Sequence, residues 1–240
     1  MQGEFGMNIV FLWLVILLYI ILSAVGVFEA KKIKGIVVTE QMRCKRYYMT
    51  ITLLWSAALA ILIMCFIGGI SLEDIGLRRI SFNYNIWFTA ITLIVSGSAA
   101  ALFLYKLFCS LVSEEYRKKM EKQVEEAEGV SDLLPRTKKE KGTWFIISFT
   151  AATCEEIIYR GFPVFLLQVV FPGIPVYLII IIPSILFGAG HFYQGIKGFL
   201  GTAAIGALFT SLFLVTNSLF IVMLLHFIID FSSTFIFSEK

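Results

Sequence analysis

Two glutamates and one arginine stand inside the stretch ATCEEIIYRGF, residues 152–162, between two runs that are almost wholly apolar, Thr143 to Ala152 and Phe162 to Phe171. Ionisable side chains at membrane depth cost about 2.5–3.5 kcal/mol each on insertion scales, so they face a cavity or one another. Glu155, Glu156, Arg160, His191, His226 and Asp230 form the set at such depth, and they include both histidines of the chain. Residues four apart share a helix face. Glu156 can therefore pair with Arg160, whereas Glu155 lies about 140° round the helix from that arginine. One carboxylate is neutralised, and the other is left to serve as a general base or acid. His226 and Asp230 are also four apart, as are Phe187 and His191 in LFGAGHF.

Each group also has a purely structural reading. Glu156 with Arg160 is a possible ion pair locking helices together, His191 a hydrogen-bonded packing residue, and His226 with Asp230 a contact between helices. The conjunction carries more. Three helices bring acid, base and donor groups, and nothing comparable lies as deep in the first three spans. That pattern points to a catalytic or a transport site.

The elements that position these groups have to be helices in lipid. Of the 240 residues, 58% are hydrophobic and only 15% charged, against about 25% charged in a soluble domain. Mean hydropathy is +0.86. A bilayer core about 30 Å thick takes roughly 20 helical residues to cross. Runs of that kind predict an all-α, polytopic transmembrane bundle of about seven spans, with six to eight possible: 9–28, 48–70, 86–112, 143–170, 175–193, 197–216 and 218–238. Pro163 is expected to kink the fourth. Gly198, Thr202, Gly206 and Thr210 recur every four residues, a small-residue stripe that lets helix backbones approach closely.

The residues before Ile9, MQGEFGMN, hold no Lys or Arg, so the first run reads as a retained span and not as a signal peptide. Basic residues cluster between spans one and two (Lys31, Lys32, Lys34, Arg43, Lys45, Arg46) and between spans three and four, in the charged segment Ser113 to Gly142, where Glu114 to Lys141 read as a solvated helix and a linker. Lys/Arg excess marks the cytoplasmic side, which places the N-terminus outside and the C-terminus in the cytoplasm. Residues 1–142 then comprise three spans and a charged cytoplasmic linker, and 143–240 the helices that carry the site. Cys44, Cys65, Cys109 and Cys154 are scattered, with no CxxC pair, so neither a disulfide framework nor a cysteine zinc site is expected.

In order, Glu155-Glu156-Ile-Ile-Tyr-Arg160, Phe187-Gly-Ala-Gly-His191 and His226-Phe-Ile-Ile-Asp230 resemble the EExxxR, FxxxH and HxxxN/D motifs of the CAAX protease and bacteriocin-processing (CPBP, or Abi) family of intramembrane endopeptidases. The likeness covers about residues 143–238. It implies that Glu155 activates a water, that His191 helps to hold it, and that His226 and Asp230 stabilise the oxyanion. Glu156 with Arg160 would order the site. Asparagine is usual in CAAX proteases where this chain has Asp230. An ionised aspartate cannot donate a hydrogen bond, so Asp230 is either protonated or orients His226.

The expected site needs no cofactor. The rival is zinc on Glu155, His191 and His226, a known type of ligand set, although no HExxH is present. Two other functions stay open: a non-catalytic immunity or peptide-binding protein, and a proton-coupled transporter. A transporter more often shows two repeated halves, and here the polar groups are confined to the second half. The expected partners are membrane lipid and a membrane-associated peptide or protein, with no nucleic acid. Bacteriocin-type processing or immunity in a bacterial cell membrane fits the compact size, and a prenylated substrate is also possible.

Overall fold

Thr39 starts the second helix by accepting a hydrogen bond from the Met42 N–H at 3.3 Å, and Asn85 starts the third by accepting from the Phe88 N–H at 2.9 Å. Such caps satisfy N–H groups that have no partner within the helix. In this computed structural model, residues 9–33, 36–126 and 130–236 are described. Met1 to Asn8, Lys34 and the last four residues, on which parts of the signal-peptide and orientation readings rest, lie outside them.

The chain order is α1 (Ile9–Ile33), α2 (Glu40–Ile67), α3 (Ile86–Val112), α4 (Glu114–Glu125), α5 (Lys138–Glu156), a π-helical turn (Ile157–Gly161), α6 (Phe162–Val170), α7 (Val176–Gly190), α8 (Gly195–Thr216) and α9 (Leu219–Ser232). Among the described residues there is no strand. The segments Glu40–Ile67, Ile86–Val112 and Phe192–Thr216 are long and apolar enough to cross a membrane, and Val15–Glu29, Val176–Gly190 and Leu219–Phe235 are shorter apolar helices. Large apolar side chains face outwards, such as Trp87 at 77% and Ile94 at 67% exposure on α3. Such a surface fits lipid and not water.

Helix α5 is the hub, packed between α2 and α9, while α7 pairs with α8, α3 lies on α8 and α1 on α7. The small-residue stripe serves the α7–α8 contact in part. A methyl group on Gly206 would come within 3.1 Å of the Ser184 Cα, and Thr210 is fully buried. On Gly198 it would first meet Gln194, one turn back in the chain.

Two stretches differ from the sequence reading. Lys138 to Lys141, expected in a linker, form the first turn of α5, where Thr137 and Glu140 make a reciprocal capping box. Glu140 is fully buried and pairs with Arg43 on α2 at 2.6 Å. Arg43, Lys45 and Arg46, expected in a loop, lie within α2. The capping pair and the buried ion pair make these residues part of the bundle. The capping box is a local T-x-x-E signature, whereas the ion pair is legible only when α2 and α5 are side by side.

The expected kink at Pro163 takes the form of a widened turn just before it. Proline has no N–H to donate to the residue four back, and the Phe162 N–H bonds to the Ile157 carbonyl, one residue further back than in an α-helix. π-turns of this type are frequent at functional sites. Gly161 closes the turn against the loop after α2: an added methyl would lie 2.5 Å from the Ile75 carbonyl oxygen. Gly161→Ala is therefore expected to destabilise the protein by about 1–3 kcal/mol through overpacking, read as a lower melting temperature in detergent. An unchanged melting temperature would show that the loop yields freely. The same loop clasps the α8–α9 turn. Leu219 N–H donates to the Gly76 carbonyl at 2.8 Å and Ser218 Oγ donates to the Arg78 carbonyl at 2.6 Å.

Candidate active site

Glu155 and Glu156 end α5, just where the π-turn begins. Their environments differ: the Glu156 side chain is fully buried, whereas that of Glu155 retains 13% exposure. Glu156 Oε1 accepts from Arg160 Nη1 at 2.9 Å and from His226 Nδ1 at 2.7 Å. The arginine guanidinium lies 4.0 Å from the centre of the Phe187 ring, a cation–π contact that compensates a cation held away from water. Glu156 thus joins α5, the π-turn and α9 through one oxygen.

A carboxylate oxygen only accepts, so His226 carries hydrogen on Nδ1 and its Nε2 faces the other way. Nε2 lies 3.5 Å from Asp230 Oδ2 and 3.9 Å from Glu155 Oε2, both beyond the ordinary N–H···O range of about 2.7–3.2 Å. His191 is fixed by the same logic. It caps α7, and its Nδ1 lies 2.9 Å from the Phe187 carbonyl oxygen. That oxygen can only accept, which leaves His191 Nε2 with its lone pair or a proton of its own. Trp144 on α5 holds the frame from below, donating to the Asp230 carbonyl at 3.0 Å.

Glu155, His191, His226 and Asp230 line one cavity of about 360 Å³ between α2, α5, α9 and the segment before α5, within the size range of small-ligand sites. Glu155 and His191 also line a second chamber of about 140 Å³ that reaches α1. Glu155 sits roughly 18 Å along its helix from Thr143 at 1.5 Å per residue and His191 ends α7, yet both line the same two chambers.

Sequence reasoning passed over Arg46, Thr50, Leu133 and Tyr193, which line both chambers. Periodicity offers one signal: Arg46 and Thr50 are four apart and fall on one face of α2. No motif marks Leu133, whereas Tyr193 lies in HFYQG, a stretch that resembles the family's context around the FxxxH histidine. As for zinc, among the described residues no group of three or more His, Cys, Asp or Glu could hold a metal ion. Glu155, His191 and His226 nonetheless line one cavity.

Residues 139–232 match the family model described as type II CAAX prenyl endopeptidase Rce1-like. No curated protein and no solved structure matches the chain. The matched segment contains Glu155, Glu156, Arg160, His191, His226 and Asp230. Residues 139–232 are thus similar to the Rce1-like type II CAAX prenyl endopeptidases, consistent with the CPBP resemblance, and the apolar helices around them mark a membrane protein.

Proposed function

We propose that this chain hydrolyses a peptide bond of a membrane-associated peptide or protein, with Glu155 as the base that activates the water. The observation that carries this reading is the unequal treatment of two adjacent carboxylates. Glu156 is consumed by Arg160 and His226, while Glu155 faces the cavity beside His191.

In the proposed reaction, a water lies between Glu155 and the His191 Nε2 lone pair. Glu155 takes one proton as the water oxygen bonds to the peptide carbonyl carbon. The carbonyl oxygen becomes an oxyanion and accepts from the Nε2–H of His226 in its doubly protonated form, whose Nδ1–H Glu156 holds from the other side of the ring. Such preorganised donors are commonly the largest catalytic contribution. The C–N bond then breaks, and the proton held by Glu155 passes to the leaving amine. Asp230, 3.5 Å from Nε2, balances the ring's charge and limits its rotation. This geometry favours the orienting role of Asp230 over a donor role, and it needs no metal step.

The family description supports a C-terminal CAAX peptide, in which a prenylated cysteine is followed by two aliphatic residues and a terminal one. A fluorescence-quenched peptide ending in S-farnesyl-cysteine and three such residues, incubated with purified protein in detergent, tests the reading. Cleavage after the cysteine is expected, at a rate unchanged by 1,10-phenanthroline. Loss of cleavage on chelation and its recovery with zinc would overturn the metal-free mechanism. No cleavage of this or other membrane peptides would overturn the peptidase reading itself. The clustering of basic residues supports a site that opens towards the cytoplasmic face.

A further inference from the structure

Arg46 occupies an unusual place on the wall between the two chambers. It is the one Lys or Arg among the described residues that line either of them. Its neighbour in sequence, Arg43, is committed to Glu140 and to the Val38 carbonyl, and Arg160 is committed to Glu156. Arg46 makes no comparable hydrogen-bonded ion pair among the described residues, although Glu29 and Asp132 lie near enough to act on its charge. Its Nη1 is buried and makes no hydrogen bond, and no ion pair forms to it among the described residues. Glu29, which lines the smaller chamber with it, is engaged by Lys32 at 2.5 Å.

Buried guanidinium nitrogens nearly always find an acceptor; Arg160 also leaves Nε and Nη2 without one, but its Nη1 is paired with Glu156, whereas no such pair forms at Arg46. Its planar fork matches a carboxylate. The chambers also carry Glu155, Asp230 and Glu29, so an anionic ligand is repelled unless a cation receives its charge. Because Arg46 shares both chamber walls with Glu155 and His191, a peptide carboxylate bound there would hold its chain alongside the proposed base.

We propose that Arg46 is a specificity-determining residue that receives a carboxylate of the peptide substrate and so sets which bond lies at Glu155. The proposal rests on the peptidase reading of that site. The carboxylate is either the C-terminus of the peptide or an acidic side chain close to it.

Binding in the Glu155→Gln background separates this proposal from the catalytic one, because no turnover is needed. The probes are the farnesylated peptide as its free acid, as its C-terminal amide, and as the amide with glutamate in the last position. The free acid is expected to bind at least about tenfold tighter than the plain amide, as one charged hydrogen-bonded pair implies. Arg46→Gln should erase that preference, and Arg46→Lys should restore only part of it. Preference for the glutamate amide over the free acid would assign the pocket to a side-chain carboxylate, still through Arg46. An affinity loss equal for all three peptides would reveal a merely structural arginine and overturn the proposal. So would an acid preference that survives Arg46→Gln, or no binding of any peptide. Loss of co-purifying anionic phospholipid from Arg46→Gln with peptide preference intact would reassign the guanidinium to lipid. Failure of the catalytic reading would appear separately, as wild-type protein that binds the acid peptide but never cleaves it.

Discussion

Glu156→Ala is expected to destabilise the protein by about 3–5 kcal/mol as well as silence it, because breaking one side of a buried ion pair strands the other charge. The Glu156 carboxylate is fully buried and accepts from both Arg160 and His226 through one oxygen. Its removal leaves a guanidinium stacked on Phe187 with no counter-charge, and an imidazole Nδ1 with no acceptor. The ring of His226 would then be free to turn, so the proposed oxyanion donor is lost along with the helix contact. Glu156→Gln keeps one acceptor oxygen and should lose less stability. Unfolding by added SDS in mixed micelles measures both variants. A Glu156→Ala protein as stable as wild type would show that Arg160 and His226 do not depend on this carboxylate.

Glu155→Gln should behave in the opposite way, with a large loss of rate and little loss of stability. General acid–base groups contribute about 10²- to 10⁴-fold, and cleavage should fall by at least that range. Glu155 makes no hydrogen bond to protein among the described residues, and its nearest ion pair is the 3.9 Å approach to His226. The same variant should therefore unfold within about 0.5 kcal/mol of wild type, as substitutions outside packing and bonding networks do. Peptide cleavage and SDS unfolding on one preparation check both halves. If Glu155→Gln and Glu156→Gln lose stability equally, the two adjacent carboxylates do not divide the work.

The contrast between these two glutamates was already legible in the spacing, since only Glu156 is four residues from Arg160. Helical periodicity also marked Phe187 with His191 and His226 with Asp230, and apolar runs marked the helices that carry them. What spacing within a helix cannot give is the contact between helices. That Glu156 holds His226 across 70 positions of sequence, or that Glu140 holds Arg43 across 97, depends on how α2, α5 and α9 pack. The π-turn was hidden for a related reason. Pro163 signals a missing N–H, but whether the chain answers with a kink, a break or a widened turn is decided by neighbours such as the Ile75 carbonyl against Gly161. Arg46 was counted as a loop charge because its surroundings in sequence are polar; only the assembled bundle places it on a chamber wall.

The central claim is that Glu155 acts on a water and never becomes covalently attached to the substrate. Cleavage of the farnesylated peptide in water enriched in ¹⁸O, followed by mass spectrometry of both the product and the protein, addresses it directly. One ¹⁸O is expected in the new carboxylate of the peptide product and none in the Glu155-containing fragment of the protein after many turnovers. Label accumulating in the Glu155 carboxylate would instead reveal an acyl-enzyme anhydride, and would contradict the assignment of Glu155 as a general base.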